Sequence, residues 1–169
     1  VIWYVILRQI ITIFENYNMI TIDELKLQLN NKSRLIGIDM GTKRIGVSIS
    51  DENRKIATPY ETIKYINMDN LISRLKEIIL ENNIRGVIFG LPLNMDGSIG
   101  SSAQSVKDKV NLISGKLDIP TILWDERLST VGSFNLSSQL DVNISKRVKN
   151  IDQNSATFIL QGVLDYLTK

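Results

Sequence analysis

Three acidic residues stand where apolar segments begin or end. Asp39 closes the run Leu35-Ile36-Gly37-Ile38-Asp39, Glu126 follows the run Ile119 to Trp124 and Asp125, and Asp152 opens the amphipathic stretch Ile151 to Leu167. Carboxylates drawn from distant parts of a chain can hold one or two Mg²⁺ ions, which orient a water for in-line attack on a phosphodiester and stabilise the leaving oxygen. Each acid also has an ordinary explanation. Asp39 could cap the turn at Gly41, Glu126 could pair with Arg127, and Asp152 could cap a helix. Cations lie beside all three: Lys43 and Arg44 after the first, Arg127 after the second, and Lys146, Arg147 and Lys149 before the third. Near an acidic centre such cations offset phosphate charge and guide a nucleic-acid strand. Away from one, they are a solvated surface. A fourth segment, Gly90-Leu91-Pro92-Leu93-Asn94-Met95-Asp96-Gly97-Ser98, is rich in turn residues. Asn94 and Asp96 belong on the substrate side and not among the ligands, and Asp96-Gly97 also reads as a tight turn.

The rest of the composition narrows the chemistry. The 169 residues include no cysteine and no histidine. Disulfides, thiolate sites, histidine-ligated zinc or iron, and Ser-His-Asp triads are therefore excluded. Hard cations with oxygen ligands, Mg²⁺ or Mn²⁺, are the natural partners of what remains. Twenty basic residues against 18 acidic ones give a net charge of +2. Bulk charge thus announces no nucleic-acid partner, and local clusters must carry that expectation.

The elements that must position these residues follow from periodicity. Leu35 to Asp39, Ile45 to Ser50 and Lys55 to Ile63 read as three strands joined by short turns, an antiparallel meander with Pro59 marking an edge strand. The pattern then alternates helix and strand. Asn70 to Asn82 is helical, Gly86 to Gly90 is a buried parallel strand, and Ser101 to Ser114 is helical. Ile119 to Trp124 is again a buried strand, Thr130 to Leu140 is helical, and Ile151 to Leu167 is a final helix with Ala156, Ile159, Leu160, Val163, Leu164 and Leu167 inward. The expected α/β class is a mixed five-stranded sheet, three antiparallel strands then two parallel, with helices packed on it. Residues 1–33 are expected to be an N-terminal extension and 34–169 the functional domain. The opening apolar run Val1 to Phe14 is too short for a membrane span and lacks the order of a secretory signal. Met19 is an alternative start. No membrane partner and a cytoplasmic location are expected.

Four stretches together resemble the YqgF-like nucleases, a bacterial family associated with processing of precursor 16S ribosomal RNA and also described as Holliday-junction resolvases. They are Ile36-Gly37-Ile38-Asp39-Met40-Gly41-Thr42-Lys43-Arg44-Ile45-Gly46-Val47, Gly90 to Gly97, Asp125-Glu126-Arg127-Leu128-Ser129-Thr130, and Asp152-Gln153-Asn154-Ser155-Ala156 with Leu160. They occur in the family's order and span about residues 34–167. Met40 stands where the family more often has proline or tyrosine, and Ser155 where it has alanine; neither change touches an acid. The resemblance implies a ribonuclease H-like fold and divalent-metal phosphodiester hydrolysis. Asp39, Glu126 and Asp152 would be the catalytic and metal-binding centre, with Lys43, Arg44, Asn94, Arg127, Lys146, Arg147 and Lys149 on the substrate side. Structured RNA is the expected substrate. Branched DNA cut by a homodimer is the rival within the enzyme class, and a non-catalytic nucleic-acid-binding module lies outside it. A sugar or acetate kinase-like phosphotransferase would share the glycine-rich first motif, but this chain is too short for the two lobes that close around ATP.

Overall fold

A computed structural model describes residues 18–128 and 151–169, with the side chains of residues 151–153 left out. The expected helix at Thr130 to Leu140, and Lys146, Arg147 and Lys149, lie outside the described residues.

The meander is built as its periodicity predicts. Strands β1 (Arg34–Met40), β2 (Arg44–Ser50) and β3 (Ala57–Lys64) are successively antiparallel. Pro59 sits on the edge strand β3, where its missing N–H leaves no inner ladder bond unmade, and it pairs with Ser48 at a register shift. Strands β4 (Ile84–Leu91) and β5 (Thr121–Asp125) then add in parallel on the other side of β1, giving the order β3-β2-β1-β4-β5. The reversal puts β1 at the centre, with the next strands in sequence leaving to either side. A ligand crevice forms at the carboxyl ends of parallel strands at such a place.

Helices α1 (Ile22–Gln28), α2 (Met68–Glu81), α3 (Ser101–Leu117) and α4 (Ile151–Leu167) cover the sheet. On one face Leu71, Leu75 and Ile78 of α2, with Val110 and Ile113 of α3, pack on Ile36, Ile38, Val47 and Phe89. On the other face α4 buries Ile159, Leu160, Val163 and Leu164 against Leu35, Ile88 and Ile122. The inward residues expected for α4 are those observed, Leu167 being only partly buried. The buried Ser48 hydroxyl donates to the Ala156 carbonyl at 2.8 Å, which anchors the amino-terminal half of α4 over the centre of the sheet.

The residues just before the meander also belong to this body. Asn18 to Ile20 pair with the edge of β5: Thr121 N–H donates to Asn18 O, and Ile20 N–H donates to Thr121 O. A capping box then starts α1, in which Thr21 Oγ1 accepts from Glu24 N–H and the Glu24 carboxylate accepts from Thr21 N–H. This sets Leu25 fully buried beside Leu35 and the α4 residues.

Candidate active site

Asp39 lies next to last in β1, paired with Gly46 across the hairpin. β4 runs alongside in parallel, with Ile38 opposite Phe89, and β5 follows, with Gly90 opposite Trp124 and Leu91 opposite Asp125. Three adjacent strands therefore end together, and the acids predicted at two of those ends meet. Glu126 leaves β5 with its backbone N–H donating to Leu91 O at 3.2 Å. Its carboxylate folds back over Gly90, so close that a Cβ at residue 90 would stand 2.5 Å from Glu126 Oε1. Ile159 of α4 crowds the same spot. Glycine inside a strand signals such a close approach, and that was the available signal for a position the sequence analysis left without a role.

Burial, and then the negative charges of Asp39 and Asp125, push the Glu126 carboxyl up to about 7. A half-buried carboxylate facing a second carboxylate is an arrangement that a divalent cation relieves. The donor set is oxygen only, as Mg²⁺ or Mn²⁺ requires. Asp152 enters in the first turn of α4, one turn before the Ala156 that Ser48 holds; its side chain lies outside the described residues. Among the described residues no group of three or more acidic side chains is gathered closely enough to hold a metal. Among the described residues the pair Asp39 and Glu126 offers oxygen donors of the kind such an ion takes.

The predicted substrate-side residues separate. Lys43 and Arg44 are exposed at the β1–β2 turn, within a few residues of Asp39. Asn94 is a turn residue: its amide donates to Ser98 Oγ, its carbonyl accepts from Gly97 N–H, and its N–H donates to Ser98 O. Asp96 accepts from both the backbone and the hydroxyl of Ser98, which holds its carboxyl below the usual range. Arg127 grips Asp125 through Nε and Nη2, at 3.0 and 2.6 Å, and its backbone N–H donates to the same carboxylate. Hydrogen bonds from that arginine keep the Asp125 carboxyl well below its usual range. Asp125 and Glu126 are adjacent in sequence yet perturbed in opposite directions, the first by a cation and the second by burial. Asp125 was not among the predicted site residues. Lys146, Arg147 and Lys149 lie outside the described residues.

Residues 33–166 match the model of the family described as "RuvX: Holliday junction resolvase". A protein of Pelagibacter ubique (strain HTCC1062), provisionally named pre-16S rRNA nuclease, is 63% identical over 149 residues, covering 88% of this chain and 99% of the relative. One of Rhizobium meliloti (strain 1021) with the same provisional name is 42% identical over 149 residues, covering 88% and 90%. Among solved structures, Thermus thermophilus RuvC in complex with Holliday junction substrate superimposes with a TM-score of 0.52 at 12% identity, covering 80% of this chain and 93% of that one. At that identity the likeness shows the fold, which is the expected ribonuclease H-like mixed sheet. No helix among the described residues is long and apolar enough to cross a membrane.

Proposed function

Because the chain belongs to the RuvX family, we propose that it is a divalent-metal-dependent nuclease that hydrolyses phosphodiester bonds in precursor 16S ribosomal RNA. The observation that carries this reading is the approach of Glu126 to Asp39 at the carboxyl ends of the central strands, with the Glu126 carboxyl raised by burial and then by the charge of that neighbour. The RNA substrate is supported by the provisional names of the relatives, which align over most of both chains.

Asp39, Glu126 and Asp152 would hold the metal. Bound there, Mg²⁺ or Mn²⁺ supplies positive charge for the phosphate and acidity for the attacking water. The chain's own residues do the rest. Ile159 of α4 stands at the same spot over Gly90 as the Glu126 carboxylate, and apolar surface beside an acid strengthens its attraction for a cation. Lys43 and Arg44 stand at the rim and offset backbone charge on the bound strand. Asn94, exposed in the turn that follows β4 with its amide donating to Ser98 Oγ, would contact a sugar or base. The family's description favours a second substrate, branched DNA. A cytoplasmic location follows from the proposed substrate.

The test is direct. A labelled RNA spanning the 5′ leader and start of 16S rRNA and a four-way DNA junction are incubated side by side with Mg²⁺, with Mn²⁺ and with a chelator. Metal-dependent cleavage of the RNA, lost in Asp39→Asn and Glu126→Gln, is the expected result. Cleavage of the junction alone moves the assignment to branched DNA. Full activity in a folded Asp39→Asn protein overturns the assignment of the centre.

A further inference from the structure

Arg127 touches two pieces of chain that are far apart in sequence. Beyond its forked bond to Asp125, its Nη1 donates to the Met95 carbonyl at 3.3 Å, in the loop between β4 and α3. Gly97 lies against the guanidinium, where a Cβ would stand 3.2 Å from Nη1. Gly97 also has φ of +85°, a left-handed conformation that side chains resist. The turn Asn94 to Ser98 is closed on itself by hydrogen bonds, and Arg127 ties it to the end of β5. Glu126 lies in sequence between Asp125 and Arg127, the two residues that the fork joins.

We propose that Arg127 is a positioning residue, which locks the Asn94–Ser98 turn to the end of β5 and thereby fixes the direction of Glu126. This differs from a direct grip on phosphate, the role that a lone arginine beside an acidic centre suggests. Three of its nitrogens already have protein acceptors, and the Asp125 carboxylate competes with any phosphate for the fork. The inference rests on the reading of Glu126 as a ligand of the nuclease centre.

The two roles separate in a double-mutant cycle on the full chain with Asp125→Asn, Arg127→Gln and both together. A positioning pair acts as one unit, so each single variant lowers kcat on the labelled RNA by about tenfold or more, and the double is no worse than the worse single. KM and the salt dependence of binding stay at the parent values. Arg127→Lys, which cannot make the fork, does not rescue. Amide hydrogen exchange at Gly97, whose N–H donates to Asn94 O, speeds up in the same variants and reads the clamp without using activity. Gly97→Ala, a change at a half-buried residue that strains the turn against the guanidinium, copies the effect should Arg127→Gln fold poorly. A higher KM and shallower salt dependence in Arg127→Gln, with Asp125→Asn unaffected, would overturn the proposal in favour of a phosphate contact. Unchanged exchange at Gly97 overturns it too. If the parent chain cleaves neither the RNA nor the four-way junction, the nuclease reading fails, and the exchange measurement still decides the clamp.

Discussion

The Glu126 carboxylate occupies the space that a side chain at Gly90 would fill: a Cβ there would come within 2.5 Å of Glu126 Oε1 and 3.1 Å of its Cδ. One missing methyl group on β4 thus lets a residue leaving β5 reach across a neighbouring strand toward Asp39 on β1. Gly90→Ala is the smallest change that tests this. Overpacking of this kind costs about 1–3 kcal/mol in stability, which a folded domain can absorb. Displacing a metal ligand by an ångström costs on the order of 100-fold in rate. A steady-state assay beside a thermal melt is expected to show a large loss of kcat with a modest loss of Tm. Parent-like kcat in Gly90→Ala would mean that the carboxylate works from another position.

Much of the frame was legible in the sequence, and the reasons are physical. The meander, the parallel strands and α4 carry strict periodicities, so the elements were found to within a few residues, and the inward side of α4 was found residue by residue. Asp39 and Glu126 were visible because each terminates an apolar strand. What was hidden depends on tertiary contact. That Gly90 is the slot for Glu126 requires knowing that β4 and β5 are neighbours in register. That Arg127 holds Met95 requires knowing where a loop thirty-two residues earlier returns. The linker-like Asn30-Asn31-Lys32-Ser33 made residues 1–33 read as an extension, yet Leu25 within that stretch is fully buried.

The pH dependence of the metal-free protein reports on Glu126 separately from catalysis. Its carboxyl sits at about 7 in the folded chain against an ordinary value of 4.5. Between those values the folded chain keeps a proton that the unfolded chain has released. Stability from this group is therefore lost as pH rises from about 4.5 to about 7, because the native state binds more protons in that window. The carboxyls held below their usual range, those of Asp51, Asp96 and Asp125, act in the opposite sense and at lower pH. Melting curves at steps between pH 4.5 and 8 are expected to show a downward slope that Glu126→Gln flattens. Added Mg²⁺ or Mn²⁺ favours the ionised form and draws the transition to lower pH. Identical pH profiles for parent and Glu126→Gln would show that this carboxyl is not perturbed.

The amino-terminal boundary gives a prediction about stability alone. A chain beginning at Met19 loses the bond from Thr121 N–H to Asn18 O but retains the bond from Ile20 N–H to Thr121 O, the capping box and Leu25. It is expected to unfold cooperatively and to keep its activity. A chain beginning at Arg34 lacks Leu25, and losing such a fully buried leucine costs about 2–5 kcal/mol. The single change Leu25→Ala in the full chain should reproduce most of that loss. Chemical denaturation of the three proteins decides the matter, and an unshifted midpoint in Leu25→Ala would show that α1 contributes little to the fold.

The basic residues Lys146, Arg147 and Lys149 fall within four positions, and Asp152 follows three residues after the last of them. If Asp152 joins Asp39 and Glu126 at the metal, these cations enter the sequence beside the cleavage site, where a phosphate backbone must pass. Their contribution is then electrostatic and shows as released counterions. Replacing all three with alanine is expected to weaken binding to the labelled RNA and to reduce the slope of log affinity against log salt by about 2, at roughly 0.7 per lost contact for a single strand. Surface charges of this kind contribute little to folding, so Tm should move by no more than the effect of about 1 kcal/mol. The measurement is a binding series from low to moderate salt, in a chelator so that no cleavage intervenes. Equal affinities and equal slopes would leave the cluster as an ordinary solvated surface. A lower affinity with an unchanged slope would mean that the substitutions act through something other than ion pairing with phosphate.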